Sequence, residues 1–458
     1  MSMELISRIQ FAFTISFHIL FPAFSIGLIL FIALLEGAWI KTGKQKYRDI
    51  CQFWTKILAL TFGMGIVSGI VMEFQLGTNW SGYTRAAGSV LGVLFTYEVL
   101  TAFFIEAGVL GIMFFGWKRV PPKVHFAATL LALTGVTVST FWIMSANSWM
   151  QTPGGVTYDG HSFQVISWVN AIFNPTFIPR FIHMLLATYI SSFLVIGGIS
   201  AHYLLEKKHL NFAKTCFSFV MWALLILLPL QILVGDEVGL RVMKYQPIKT
   251  AAMEAAWETQ TGVPLVLFAW PNSKTEKNDF AISIPKLASL INTHNLNGKM
   301  TGLKSVPANE RPAVAAVFWS FRIMVGLGFL MLFVALTGLY LRYKKSLYDS
   351  RWFLTCCIWL SPTGFISIIM GWFVAELGRQ PWIIYQYMKT LDAHSPVSLH
   401  QVLFSFLAII AVYGVIFGYY YFSYFLKAIA TGPAATTSEL DPTYFYMAPV
   451  IGKNEAKK

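Results

Sequence analysis

Nine long apolar runs, separated by polar connections, account for most of this chain: approximately 11–36, 54–76, 91–116, 124–149, 179–203, 213–236, 314–341, 352–375 and 399–426. Each supplies the roughly 20 mostly apolar residues that a helix needs to cross about 30 Å of hydrocarbon. The pattern predicts an all-α integral membrane protein with nine transmembrane helices. The first run, beginning near Phe11, is too long for a signal-peptide core and reads as a span.

Charge orients the bundle. The first connection carries Lys41, Lys44, Lys46 and Arg48, the third Lys118, Arg119 and Lys123, the fifth Lys207, Lys208 and Lys214, and the seventh Arg342, Lys344, Lys345 and Arg351. The second has only Arg85, and the fourth (150–178) has no Lys or Arg. Basic loops stay in the cytoplasm, so the N-terminus is expected outside and the C-terminus inside. The sixth connection, 237–313, then forms one long periplasmic loop; it contains lysines, but long loops obey the charge rule weakly. The expected division is 1–236 for six spans, 237–313 for the loop, 314–431 for three spans, and 432–458 for a cytoplasmic tail. Within the loop, helical character is expected around Pro247 to Glu258, and turns around Pro264, Pro271, Asn272 and Ser273.

Composition agrees: of 458 residues, 56% are hydrophobic and 12% charged, which excludes a large soluble enzyme. The net charge of +13 belongs to the cytoplasmic connections, so it does not point to nucleic acid. Cys51, Cys216, Cys356 and Cys357 form no CxxC pair and read as reduced, structural thiols. Phosphate-binding glycine loops, HExxH and nucleophile elbows are absent.

The candidate chemistry is intramembrane. Ionisable residues inside spans are costly and rare, and mark functional sites by default. His18, Glu98, Glu106, His183, Arg322, Met324, Glu376 and Arg379 all fall in the half of the membrane assigned to the outside. His with Met is an axial pair for a low-spin haem, and His alone suits a high-spin haem open to oxygen. Taken singly, each has a plainer role: a lone His bonds a neighbouring helix, Met324 is one of 17 methionines and packs, and Glu376 with Arg379 anchors a helix end. Arg322 beside Met324 shifts the balance, because a buried guanidinium needs an anion such as a haem propionate. Glu98 and Glu106, eight residues apart, suit a proton relay or a metal-flanking role, or else an interhelical hydrogen bond. Lys249 and Glu254 in the outer loop could bracket a quinol headgroup, or simply lie on a solvated helix.

Several motifs carry a resemblance. SRIQFAFTISFHILFP at 7–22, MEFQLGTNW at 72–80, the Glu98–Glu106 segment ending in FFGW, SANSWMQTP at 145–153, GDEVG at 235–239, KTAAMEAAWETQ at 249–260, FRIMV at 321–325 and GWFVAELGRQPW at 371–382 occur in this order. Together they resemble subunit I of cytochrome bd-type quinol oxidases over almost the whole chain. The resemblance implies that His183 and Met324 are axial ligands of a low-spin haem b, with Arg322 beside it. It implies that His18 and Glu376 are ligands of two high-spin haems, a second haem b and a haem d. It places Glu98 and Glu106 near those haems and in the proton path, Arg379 and Trp372 at their flank, and Lys249 and Glu254 at the quinol site of the periplasmic Q-loop. Which of His18 and Glu376 serves which haem stays open.

The loop here is short, resembling the group that includes cyanide-insensitive oxidases, in some of which a further haem b replaces haem d. The expected activity is electrogenic quinol:O2 oxidoreduction without proton pumping, in the bacterial cytoplasmic (inner) membrane. The expected partners are subunit II, a small single-helix subunit, ubiquinol or menaquinol, O2 and membrane lipid. Two rival readings are a secondary transporter with a buried ion site and a haem b quinone oxidoreductase anchor without oxygen chemistry. The transporter leaves His183 and Met324 without a joint purpose; the anchor leaves His18 and Glu376 unused.

Overall fold

Backbone polar groups in lipid must be satisfied within the segment, so apolar runs of this length become helices. The computed structural model describes residues 2–433, apart from the side chain of Phe103. Among them, nine helices are long and apolar enough to cross a membrane: Met3–Thr42, Gln45–Thr78, Ser81–Phe115, Pro122–Gln151, Phe177–Leu205, Leu210–Tyr245, Ala308–Tyr343, Arg351–Leu377 and Leu399–Thr431, hereafter spans one to nine. All nine expected runs are there, most of them extended by a few residues at their ends. The expected tail lies outside the described residues from position 434 onward.

Four of the described spans are interrupted. Span one breaks between Met3–His18 and Leu20–Thr42. Pro22 lacks the N–H that would bond the His18 carbonyl, so the kink falls on His18. Span eight is Arg351–Leu360 followed by Thr363–Leu377, parted at Pro362. Spans three and nine contain π-helical turns at Val99–Phe103 and Tyr413–Tyr421. Span nine opens with a capping box, in which the Ser398 hydroxyl and the Gln401 side chain each satisfy the other's backbone N–H.

The main apolar core runs through spans one, two, five, six and eight, with Phe31, Trp54, Phe193, Phe217 and Phe353 fully buried. Small residues let spans five and eight approach. A Cβ on Gly364 would lie 2.6 Å from Ser191 Oγ, and one on Gly198 would lie 1.7 Å from Ser361 Oγ. Such close small-residue seams replace the hydrophobic drive that lipid removes.

The long loop between spans six and seven differs from expectation in two ways. Its helix is only Pro247–Met253; Ala255, with φ of 51°, turns the chain out of it. The segment read as turns is an antiparallel hairpin, Leu265–Asn272 with Lys277–Ile284, and only the tip at 273–276 turns. Pro271 faces Asn278 near that tip, where a missing ladder donor is tolerated. Val242, Met253, Trp257, Val263, Met300 and Leu303 pack against Val314, Val317 and Val374, fastening the loop to spans seven and eight.

Gly364→Leu should lower the unfolding free energy of the detergent-solubilised protein by about 1–3 kcal/mol, the usual cost of overpacking. A melting curve matching the unaltered protein would show that spans five and eight do not meet this closely.

Candidate haem and quinol sites

His183 stands seven residues into span five, about 9 Å from its start. Its Nε2 is 3.3 Å from the Gln231 amide nitrogen of span six, which donates to it, while Nδ1 is buried without a partner. One turn beyond Gln231, a Cβ on Gly235 would sit 3.3 Å from the His183 ring. Met324 of span seven meets the same kind of clearance, since a Cβ on Gly371 of span eight would lie 2.8 Å from its sulfur. Spans five, six, seven and eight pack together, so both side chains project into one bundle.

His18 repeats the arrangement at the kink of span one. A Cβ on Gly69 of span two would be 3.2 Å from its ring. The Ser68 hydroxyl donates to the Met64 carbonyl at 2.9 Å, so it accepts from His18 Nδ1–H, also at 2.9 Å. That fixes the tautomer and leaves Nε2 with its lone pair, the state a metal requires.

Glu376 closes span eight in a dense polar knot. Its carboxylate pairs with Arg379, one turn on, and accepts from Asn147 at 2.9 Å and Gln151 at 3.3 Å, both on span four. Asn147 in turn accepts from Arg180 of span five at 2.9 Å. Lys249 donates to Gln151 at 2.5 Å and to the Ala375 carbonyl at 2.9 Å. Arg379 also donates to the Ile383 carbonyl, yet its Nε is buried without an acceptor. One carboxylate thus serves two guanidinium groups, those of Arg379 and Arg180. A buried surplus of positive charge calls for an anionic ligand.

Trp372 sits one turn before Glu376, its ring 6.5 Å from Phe11, which joins span eight to the helix carrying His18. Glu98 accepts from Ser139 of span four at 2.8 Å, and Glu106 lies over Gly135 of the same span, whose Cβ would meet Glu106 Cγ at 2.8 Å. Eight residues of regular helix would leave these two carboxylates about 80° apart. The π-turn at Val99–Phe103 takes up one residue and reduces the angle to about 20°, so both face span four.

Lys249 and Glu254 meet different partners. Lys249 lines a cavity of about 460 Å3 beyond the end of span eight, together with Gly378, Arg379, Gln380, Trp382 and Tyr385. Glu254 is buried elsewhere, paired with Arg322 at 2.6 Å and accepting from Asn292 at 3.3 Å. The anion beside Arg322 is therefore Glu254, with the Val266 carbonyl taking its Nε–H at 2.7 Å. Gly378 is needed for the Lys249 placement, because a Cβ there would be 2.7 Å from Lys249 Cγ.

These features fit haem. Among the described residues no three His, Cys, Asp or Glu side chains converge on a metal, whereas a porphyrin iron needs only one or two. The free Nε2 lone pair of His18, the orphaned Arg379 Nε, the cationic surplus, and the glycines that let neighbouring helices come directly against His18, His183 and Met324 suit a flat, dianionic group. The family model for cytochrome bd terminal oxidase subunit I matches residues 6–433. The chain belongs to that family.

Relatives within the cytochrome bd group include the cytochrome bd-II ubiquinol oxidase subunit 1 of Escherichia coli (strain K12), 34% identical over 89% of this chain and 93% of that one. The cytochrome bd ubiquinol oxidase subunit 1 of Bacillus subtilis (strain 168) is 36% identical over 90% and 91%. The bd oxidase structure from Geobacillus thermodenitrificans superposes with a TM-score of 0.87 at 27% identity, over 94% of this chain and 99% of that chain. Family membership removes the transporter and anchor readings.

Sequence reasoning passed over Gln231, Asn147, Gln151 and Arg180 as site residues. Asn147 and Gln151 lie inside the SANSWMQTP motif and were within reach. Gln231 carried no signal beyond being an amide in an apolar run.

Proposed function

We propose that this chain is the haem-bearing subunit of an enzyme that oxidises quinol at the outer membrane face and reduces O2 to water with cytoplasmic protons. Membership of the terminal-oxidase family makes it a quinol:O2 oxidoreductase, and its nine apolar helices make it a multi-pass protein of the bacterial inner membrane. The observation that carries the finer reading is that glycines bring neighbouring helices directly against His183, Met324 and His18, in the half that also holds the Glu376 knot.

His183 and Met324 would hold a low-spin haem b; His18 and Glu376 would serve two high-spin haems, one b and one d, or b in its place. When bound, these groups supply one-electron carriers and the iron at which oxygen is reduced. The protein's part is to hold and orient. Ser68 sets the His18 ring, Asn147 and Gln151 aim the Glu376 carboxylate, and Gln231 would release His183 Nε2 when that atom takes iron. Arg180 and Arg379 supply positive charge for propionates. Glu98 and Glu106, facing Ser139 and Gly135, move protons outward along span four.

The 460 Å3 cavity is the quinol site in this reading. Trp382 and Tyr385 offer apolar ring faces, and Lys249 offers an acceptor. Burial, and then the nearby Arg180 charge, holds the Lys249 ammonium well below the usual lysine range. A neutral amine has two N–H groups, which Gln151 and Ala375 take, and a lone pair free to receive a hydroxyl proton. Glu254 then acts through Arg322, fastening the loop to span seven rather than touching quinol. Protons released outside and taken up inside build voltage without pumping. The chain works with subunit II, and a small single-span subunit is part of the proposed assembly; exposed Phe404, Leu407 and Tyr419 on span nine offer apolar surface for such partners or lipid.

A reduced-minus-oxidised optical spectrum of the purified oxidase tests the reading. A b-type signal with a chlorin band in the red is expected; a b-type signal alone would put haem b at the third position, and no haem signal would overturn the proposal. Met324→Leu should lower the low-spin haem potential or empty that site with the fold intact, whereas an unchanged spectrum and potential would remove Met324 as a ligand.

For the cavity, quinol oxidation should slow as pH falls through the depressed Lys249 pKa, because protonation removes the acceptor. Lys249→Gln should cost at least about tenfold in rate and flatten that acidic limb, with haem content kept. Unaltered steady-state kinetics and pH profile in that variant would remove Lys249 from the site.

A further inference from the structure

One buried acid–base pair has no part in the scheme above. Glu36 of span one and His125 of span four are 0% and 1% exposed, in the opposite half of the membrane from the Glu376 knot. Glu36 Oε1 and His125 Nδ1 are 2.6 Å apart, Thr129 donates to Glu36 Oε2 at 2.7 Å, and His125 Nε2 is 3.1 Å from the Met113 carbonyl. Among the described residues no lysine or arginine pairs with Glu36.

The geometry fixes the proton count. The Met113 carbonyl only accepts, so Nε2 carries a proton. The 2.6 Å contact between Nδ1 and Oε1 needs a second, held by either atom. The pair is then net neutral with two protons, and it stays neutral whichever way the shared one leans. Losing one sets two lone pairs against each other, a state that recaptures a proton.

Its place is as telling as its chemistry. His125 is three residues into span four, about 5 Å from that helix's start and next to the basic connection with Lys118, Arg119 and Lys123. Arg48 donates to the Trp117 carbonyl at 2.9 Å, and the Trp117 ring lies 4.0 Å from that of His125, covering the pair on this side. Along span four, His125 and Thr129 are followed by Gly135 and Ser139, which face Glu106 and Glu98. Met113 is two turns from Glu106 on span three, so the same two helices carry both ends. Buried Leu110, Ala132 and Val136 fill the stretch between.

We propose that Glu36 and His125 form a proton-loading site at the cytoplasmic mouth of the relay that leads through Glu106 to Glu98, resting on the sidedness and oxidase reading above. The pair passes a proton across this stretch to Glu106 and is refilled from the cytoplasm. Its own composition is unchanged over a cycle. Each O2 takes four electrons from two quinols and four protons by this route, and two waters form. The apolar stretch separates loading from delivery, which prevents a continuous proton leak.

The test uses the whole oxidase with its partner subunits. Glu36→Gln preserves shape and hydrogen bonding but cannot deliver a proton. Oxygen consumption with excess quinol should fall at least about tenfold, with haem content and the anaerobic rate of haem reduction by quinol unchanged. Wild-type turnover in that variant would make the pair a structural pin and overturn the proposal. If Glu36→Gln does not assemble, Thr129→Val decides: a larger solvent deuterium effect on turnover supports the loading role, and an unchanged rate and isotope effect overturns it. Unaltered protein that consumes no oxygen would overturn the oxidase reading and this one with it.

Discussion

A charged group taken out of water must find a partner, and in the middle of a membrane it can find one only in the protein or its ligands. Glu376 and Arg379 meet that demand between themselves, then draw in Asn147, Gln151, Arg180 and Lys249 from three other segments. The knot therefore joins span eight to spans four and five and to the outer loop. It also leaves positive charge over, so the same constraint that ties the helices together prepares the place for an anion. Structure and site share one electrostatic cause.

A second constraint is room. Flat cofactors need helices that approach closely without filling the space between them. Here glycine stands opposite His18, His183 and Met324, and opposite Glu106 and Lys249 as well. Where no ligand is wanted, the same residue brings helices into contact with each other, as Gly198 and Gly364 do between spans five and eight. A missing Cβ is thus used twice, to open a site and to close a seam.

Irregular backbone falls where function is proposed. The Pro22 kink lands on His18, the π-turn in span three turns Glu98 and Glu106 toward one neighbour, and the outer loop leaves its helix at Ala255 just after Lys249 and Glu254. Each departure aims a side chain that a straight helix or a longer one would point elsewhere.

The number, order and approximate limits of the spans were legible in the sequence, because apolar length and loop charge are local properties that a bilayer reads directly. So were the ionisable candidates, since groups that costly in lipid stand out against an apolar background. The tertiary structure alone decided which of them meet. It sent Glu254 to Arg322 and Lys249 to the cavity, although they are only five residues apart, because the helix between them ends early. It supplied Gln231, Asn147 and Gln151 from other helices, and folded the proline-marked loop into a hairpin by pairing strands across a short turn. It also put Glu36 against His125 across 89 residues. Pairings of that kind depend on helix rotation and neighbour choice, which packing sets and no local pattern encodes.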